Sequence, residues 1–438
     1  MIAPHALPGV LLLVMILSLV IADVAGGTAT RAGYFLLLLS GVSAWSAALL
    51  LLPRVRRSQV VLISILLIAG LGLLLFSWAR DGEFDLHRMI SINTGLLTMI
   101  TSVGFLKLIA VRGFGHEGPL PQGIKAFRET MLTLAVFGSF INISAPVLLA
   151  DRLSLNRPLT LFGCSLLTRT FSGCSAWSPF FGGMAVVLTY VEGMRIFPVM
   201  SVAFPFAMIG LLVVYALAMF FHRDEVNEFR GYPMQLSSLW IPAALAILVV
   251  GMSLLWTGLS ILTVIALGAL ILTVVALVVL DSFKVAKDEL RQFVVDGLPK
   301  TANELILFLA AGVLAVGLER LVAQGLIQLP FSDFTVWAAS LLLAAMLIIS
   351  ILGVHPVIQI AGVTPLLVPV GPDPQLLALT YMFAWSLGTC ASPLSGTHLV
   401  MQGRYGIPSW QGALVNWPFV VIMFAVAVSI IHLSVLVF

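Results

Sequence analysis

Apolar residues in this chain come in long, nearly unbroken runs separated by short polar breaks. A bilayer crossing takes about 20 consecutive apolar residues. On that measure, full crossings are expected near 8–24, 33–52, 58–79, 90–111, 159–190, 197–221, 239–258, 260–281, 302–322, 376–402 and 411–436. Two further runs, 129–150 and 334–370, are interrupted in the middle. The first carries Asn142-Ile143-Ser144-Ala145-Pro146 and the second Gly353-Val354-His355-Pro356. Residues 9–22 have the length of a signal-peptide core, but only His5, and no Lys or Arg, precedes them. A basic leading region is expected of such a peptide, so the run reads as a retained first span.

Composition narrows the class. Of the 438 residues, 60% are apolar and only 9% are charged, and mean hydropathy is +1.12. A soluble enzyme would need a far more charged surface, and a disordered chain far less hydrophobicity. A net charge of +3 with scattered basic residues gives a nucleic acid nothing to bind. The cysteines Cys164, Cys174 and Cys390 sit in apolar sequence, with spacing that suggests neither a metal cluster nor a disulfide framework. No cofactor is implied. The expected fold is an all-α polytopic membrane protein.

Basic residues set its orientation, because cytoplasmic loops are enriched in Lys and Arg. The runs 129–150 and 334–370 are first treated as re-entrant hairpins that enter and leave on one side, with the N-terminus cytoplasmic. Fifteen Lys and Arg, Arg112 and Arg404 among them, then lie inside, and five (Arg31, Arg80, Arg88, Arg195, Arg320) lie outside. A full crossing by either run would shrink that bias. Irregular backbone at membrane depth must face protein or a water-filled cavity, so two such hairpins point to function. Ordinary Pro-kinked spans are the other reading of the same runs.

The chain also reads as two related halves. Scaffold spans occupy 1–89, the first repeat 90–221, cytoplasmic segments and linking spans 222–301, and the second repeat 302–438. Each repeat opens with a Gly-bearing crossing that ends in a basic residue, Gly95–Arg112 and Asn303–Arg320. An interrupted hairpin follows, then a crossing broken by small and polar residues. The break in 159–190 holds Ser172, Gly173, Cys174, Ser175, Ser178 and Pro179; that in 376–402 holds Thr389, Cys390, Ser392, Pro393, Ser395, Gly396 and Thr397. Cys, a small residue, Ser-Pro and Gly recur in the same order. Proline removes a helical hydrogen bond and clashes with the preceding turn, so two discontinuous helices are expected. By the charge layout the halves are inverted, and inverted repeats with broken helices point to the binding site of a secondary transporter.

In this order of hairpin, broken helix, linker, hairpin and broken helix, the chain resembles the ion transporter superfamily over residues 90–438. Glu304–Gly325, Ile348–Leu367 and Tyr381–Phe424 carry the likeness most closely, and the arsenite-permease and divalent-anion symporter branches are nearest in pattern. The resemblance implies a scaffold and a mobile transport domain, an elevator-like movement and, commonly, a homodimer in a bacterial inner membrane. Carried over by position, it implies site residues Asn142, Ser144 and Pro146 at one tip and His355 and Pro356 at the other. The same carry-over marks Ser172, Ser175, Ser178 and Pro179 at the first break, and Thr389, Ser392, Ser395 and Thr397 at the second. The chain lacks the Ser-Asn-Thr tips of the symporters and the acidic residues of the arsenite and sodium/proton branches, so the resemblance assigns neither substrate nor coupling ion.

The residues themselves suggest an anion. Opened helix ends offer N–H groups to anions and carbonyls to Na⁺, while Ser and Thr hydroxyls serve both. Arg169, His355 and His398 are cationic candidates at membrane depth, where a charge costs about 2.5–3.5 kcal/mol. Arg169 precedes Ser172 by one helical turn, where it would suit a carboxylate or phosphate-like group; pairing with backbone carbonyls is the plainer reading. His355 and His398 are the candidates for proton coupling, against capping a turn or facing a neighbouring helix. Lys107 is expected to snorkel, Glu304 to sit in a first helical turn, and Trp177 and Trp385 to pack beside the breaks. The leading expectation is a carrier of a small anionic solute coupled to H⁺ or Na⁺. A cation/proton antiporter on the same scaffold is the alternative. An intramembrane hydrolase built on Ser395 and His398 is a third reading, without any elbow or metal motif to support it.

Overall fold

A computed structural model describes residues 4–110, 121–155, 157–233, 239–327 and 329–438. Arg112, the end of the 90–111 run and residues 234–238 of the 222–301 segment lie outside the described residues. Among the described residues the regular elements are helical; the single β-feature is an isolated bridge between Gln122 and Arg230. Among the described residues eight helices are long and apolar enough to cross a bilayer, including Leu7–Val24, Ile261–Leu280 and Trp417–Ser434. The protein is a multi-pass membrane protein.

Helix starts follow the sequence. Thr160, Thr335 and Asp373 cap the helices Leu161–Ser175, Val336–Ile351 and Pro374–Ala391 by accepting main-chain N–H groups of the first turn. Pro374 then stands at the first helical position, where its missing N–H costs nothing. The chain divides into two compact units, each assembled from separate stretches.

The first unit comprises Met1–Ile109, Ala243–Pro330 and Ala361–Pro369. Its helices Arg57–Asp81 and Ala302–Ala323 run in parallel. Gly70 meets the backbone of Val313 and Leu314, Ser77 meets Gln324, and Asp81 meets Arg320. Leu74, Val313 and Val316 form a buried seam with Trp45 and Ile92 against it. Water gives no driving force between helices in lipid, so close backbone approach through small residues carries the association. A Cβ on Gly70 would lie 2.7 Å from the Leu314 nitrogen, whereas one on Gly72 would meet nothing within 4 Å. Gly70→Leu is therefore expected to lower stability by about 2 kcal/mol, with Gly72→Leu near neutral. Thermal unfolding of the two variants in detergent compares them directly.

The second unit comprises Ala110–Pro242, Phe331–Ile360 and Val370–Phe438. The interrupted runs resolve into paired helices, all within this unit except the stretch after Ile360, which belongs to the first. The run 129–150 becomes Gly123–Ile141 and Ser144–Leu153, and 334–370 becomes Val336–Ile351 and Pro356–Leu367 with a short 3-10 turn after it. The broken crossings become Leu161–Ser175 with Gly182–Tyr190, and Pro374–Ala391 with Gly396–Tyr405. Gly123–Ile141 and Leu161–Ser175 run in the same direction. Phe127 stacks on Phe162 at 5.7 Å, Gly138 lies against Phe171 and Cys174, and Asn142 reaches Phe180. The chain between them must therefore return to the level at which the first helix began. The second set repeats the sense: Ser350 lies on Gly388, and Gly353 on Leu394.

Both reversals turn on a left-handed backbone. Gly353 has φ +99°, which glycine takes at no steric cost, and Asn142 has φ +49°, the single non-glycine positive φ among the described residues. Asparagine tolerates such angles better than most side chains, but its ψ of −142° falls outside the left-handed helical well. Asn142→Gly is expected to be close to neutral in stability, since relief of strain offsets the lost amide. Asn142→Val is expected to cost about 2 kcal/mol or more, because a branched Cβ is far less tolerant there. A comparison of the three unfolding midpoints reads this out.

Candidate functional site

Both reversals and both breaks gather within the second unit. The Asn142 amide donates to the Phe180 carbonyl at 3.3 Å, so the first tip is tied to the first break. The neighbouring Ile143 lies 3.5 Å from where a Cβ on Gly396 would stand, so the same tip also touches the second break. The second tip presents Gly353 to Leu394 and sets the His355 ring edge-on to Trp385, with centroids 5.2 Å apart. The Trp385 indole in turn covers Gly183, where a Cβ would come within 3.0 Å of the ring. Trp385 thus joins the second tip to the start of the second half of the first broken helix.

The two broken helices are bonded to each other. Ser172 Oγ donates to the Ser386 carbonyl at 2.7 Å, and Ser386 Oγ donates to the Ser172 carbonyl at 2.7 Å. Most of the other expected ligands are also spent on main chain. Ser175 donates to the Ser172 carbonyl, Ser178 to the Ser139 carbonyl and Thr389 to the Trp385 carbonyl. Ser392 accepts from the Leu394 N–H, and Ser395 caps Gly396–Tyr405 through the His398 N–H. Ser144 opens its helix at the first tip, half-buried, and Thr397 is buried in the first turn of its own. Pro146 is buried, Pro179 and Pro393 lie in the non-helical stretches, and Pro356 starts its helix. Gly173 lies inside the last turn of Leu161–Ser175, and Gly396 begins the second half of the other broken helix. His355 Nδ1 accepts from the Val357 N–H at 3.2 Å, so the ring caps the turn it sits in.

Arg169 anchors a buried polar network. Its Nε donates to Asn416 Oδ1 at 3.0 Å, and its Nη2 donates to the Val415 carbonyl. The guanidinium only donates, so Asn416 must turn its oxygen toward Arg169 and its NH₂ away. That NH₂ reaches Thr168 Oγ1 at 2.9 Å and His398 Nε2 at 3.3 Å. The His398 Nδ1 lies 2.9 Å from the Ser392 carbonyl, which only accepts, so the proton sits on Nδ1 and Nε2 accepts from Asn416. Ser395 Oγ is also 2.9 Å from Nδ1. A protonated Nδ1 cannot take a proton from Ser395, so this pair is built as a helix cap rather than as nucleophile and base.

Sequence reading did not single out Asn416, Ser386 or Ser139. Asn416 had a signal: it is the lone asparagine inside the last long apolar run, followed by Trp417-Pro418. Ser386 and Ser139 had none, since a single Ser in a membrane helix is common and usually bonds its own helix.

Together these features define a multi-pass membrane protein, all-helical in its regular elements among the described residues, whose two interrupted helices bond to each other beside their breaks. No family model matches the chain, and no curated protein does. Its structure is similar to that of the YdaH transporter of Alcanivorax borkumensis, described as having an unusual topology, with a TM-score of 0.47 and 13% sequence identity. That likeness covers 83% of this chain and 87% of the other.

Proposed function

We propose that the protein is a secondary active carrier for a small anionic solute, coupled to H⁺ or Na⁺, working by an elevator-like displacement of its second unit. The observation that carries this reading is the convergence of two chain reversals on two helix breaks, with Ser172 and Ser386 bonded reciprocally between the broken helices. Backbone opened at membrane depth is tolerated where it lines a solute pathway. On this reading the reversals are re-entrant hairpins, the halves are inverted repeats, and the chain sits in a cell membrane with its N-terminus cytoplasmic, as a homodimer. An anion is favoured because Arg169 is buried, takes part in no ion pair among the described residues, and has neutral partners only.

A cation/proton antiporter needs a group at the breaks that gains and loses a proton. His398 commits both ring nitrogens to partners, which weighs toward the anion reading. The test is reconstitution into liposomes with imposed pH, Na⁺ and voltage gradients and a panel of organic and inorganic anions. Gradient-driven accumulation of an anion supports the carrier. Flux of every solute that ignores all gradients removes the coupling, and proton-linked cation flux that survives the double replacement His355→Ala/His398→Ala removes a histidine-based antiporter.

A further inference from the structure

The two ends of the first unit treat their charges differently. At one end Arg320 pairs with Asp81 and Glu83, and Arg88 with Glu319. At the other stand Arg54, Arg56, Arg57 and Lys300, all exposed, and none of them takes part in an ion pair among the described residues. These four share a level. The parallel helices Arg57–Asp81 and Ala302–Ala323 meet at Gly70 with Val313 and Leu314, and again at Ser77 with Gln324, so they also begin side by side. Lys300 lies just before the second of them, and the 3-10 turn Leu52–Arg54 packs against that same helix. Asp296, one turn before Lys300, is exposed and pairs with none of the four.

Arg56 and Arg57 also stand at the unfavourable pole of their helix. Arg56 precedes its first residue and Arg57 is that residue, and no side chain caps the first turn. A helix N-terminus carries partial positive charge and favours an anion, so two cations there repel it until an anion arrives. The outward face of the helix says which anion fits. Val61, Ile65 and Ile68 follow Arg57 at helical spacing and are 61%, 57% and 72% exposed. The opposite face, with Ile63, Leu66, Leu74 and Ser77, is buried. In a bilayer the open stripe faces acyl chains, and Arg57 crowns it where the chains end and the phosphates begin.

From this we infer that Arg54, Arg56, Arg57 and Lys300 form a docking surface for an anionic phospholipid, its phosphodiester held by the cations and the helix N-terminus and its chains lying along Val61, Ile65 and Ile68. The inference goes beyond the carrier reading and does not rest on it, since a chain that transports nothing would still retain the lipid. A free phosphate matches the cations but leaves the apolar stripe without a role, so the lipid is the better fit.

Native mass spectrometry of the full chain, delipidated in detergent and titrated with dioleoyl phosphatidylglycerol, counts bound lipids directly. Saturable binding of a first phosphatidylglycerol is expected, at least about tenfold tighter than dioleoyl phosphatidylcholine. The double replacement Arg56→Gln/Arg57→Gln should weaken it about thirtyfold, and Arg56→Lys/Arg57→Lys should keep most of the affinity. Arg80→Gln, at the opposite end of the same helix, should leave binding unchanged. Equal binding of the two lipids, uptake that never saturates, or equal weakening by Arg80→Gln overturns the inference. Displacement of the lipid by inorganic phosphate also overturns it, in favour of a site for the free ion. A size-exclusion profile like that of the unchanged protein confirms that each variant is folded.

Discussion

Asn416→Leu is expected to cost about 3–5 kcal/mol of stability. Leucine keeps the shape of the side chain and removes every polar contact it makes. Arg169 Nε then points at carbon, and a buried guanidinium keeps only the Val415 carbonyl. His398 Nε2 loses the amide that supplied its hydrogen, and Thr168 loses a donor. Leaving a buried charge short of partners costs more than the intact bond contributes, because the desolvation penalty stays behind. The double replacement Arg169→Leu/Asn416→Leu should therefore cost clearly less than the sum of the two single changes. Such a deficit in additivity is the signature of one network. Size-exclusion profiles after heating detergent-solubilised protein measure all three variants. Additive losses would show that Arg169 and Asn416 act independently.

Trp385→Ala should cost about 3–5 kcal/mol in stability and, on the proposed carrier reading, abolish gradient-driven transport. The indole packs against His355 of one reversal and covers Gly183 at the opposite break. Alanine would leave a hole between them, and neither neighbour can collapse into it freely. Gly183 sits at a helix start with no side chain to swing in, and His355 is held by its own cap to the Val357 N–H. Trp385→Phe should recover much of the stability and part of the transport, since it restores most of the lost contact area. Uptake into liposomes, normalised to folded protein, separates the two losses. Full transport by Trp385→Ala would mean that the tips and breaks do not need this contact.

The periodicity of the sequence placed most helices and the four interruptions it marked, but not the turns at Ile92-Asn93 and at Asn416, which divide the expected crossings 90–111 and 411–436. Asn142, Gly353, Pro179 and Pro393 are local signals, written in residues whose own backbone preferences forbid a continuous helix, and the structure interrupts its helices at or beside each of them. The wiring of the site was less legible. The Ser172–Ser386 pair spans 214 positions and the Arg169–Asn416 pair 247. Nothing in either local stretch says which distant residue will be met. The expected hydroxyl ligands illustrate the same limit. Ser175 and Thr389 look open on paper, but a serine or threonine in lipid usually satisfies itself on a nearby carbonyl, and these do, while Ser178 reaches the Ser139 carbonyl of another helix. Arg169 stood out because charge at membrane depth is costly; its partner, the neutral amide of Asn416, did not.

The matched hydroxyl-to-carbonyl bonds between Ser172 and Ser386 work as a two-pin coupling. A slip of one helical turn, about 5.4 Å, would pull out both pins together. The interrupted rods therefore keep a common height, and on the proposed carrier reading a solute at their gaps would move with both as one body rather than between two sliding jaws.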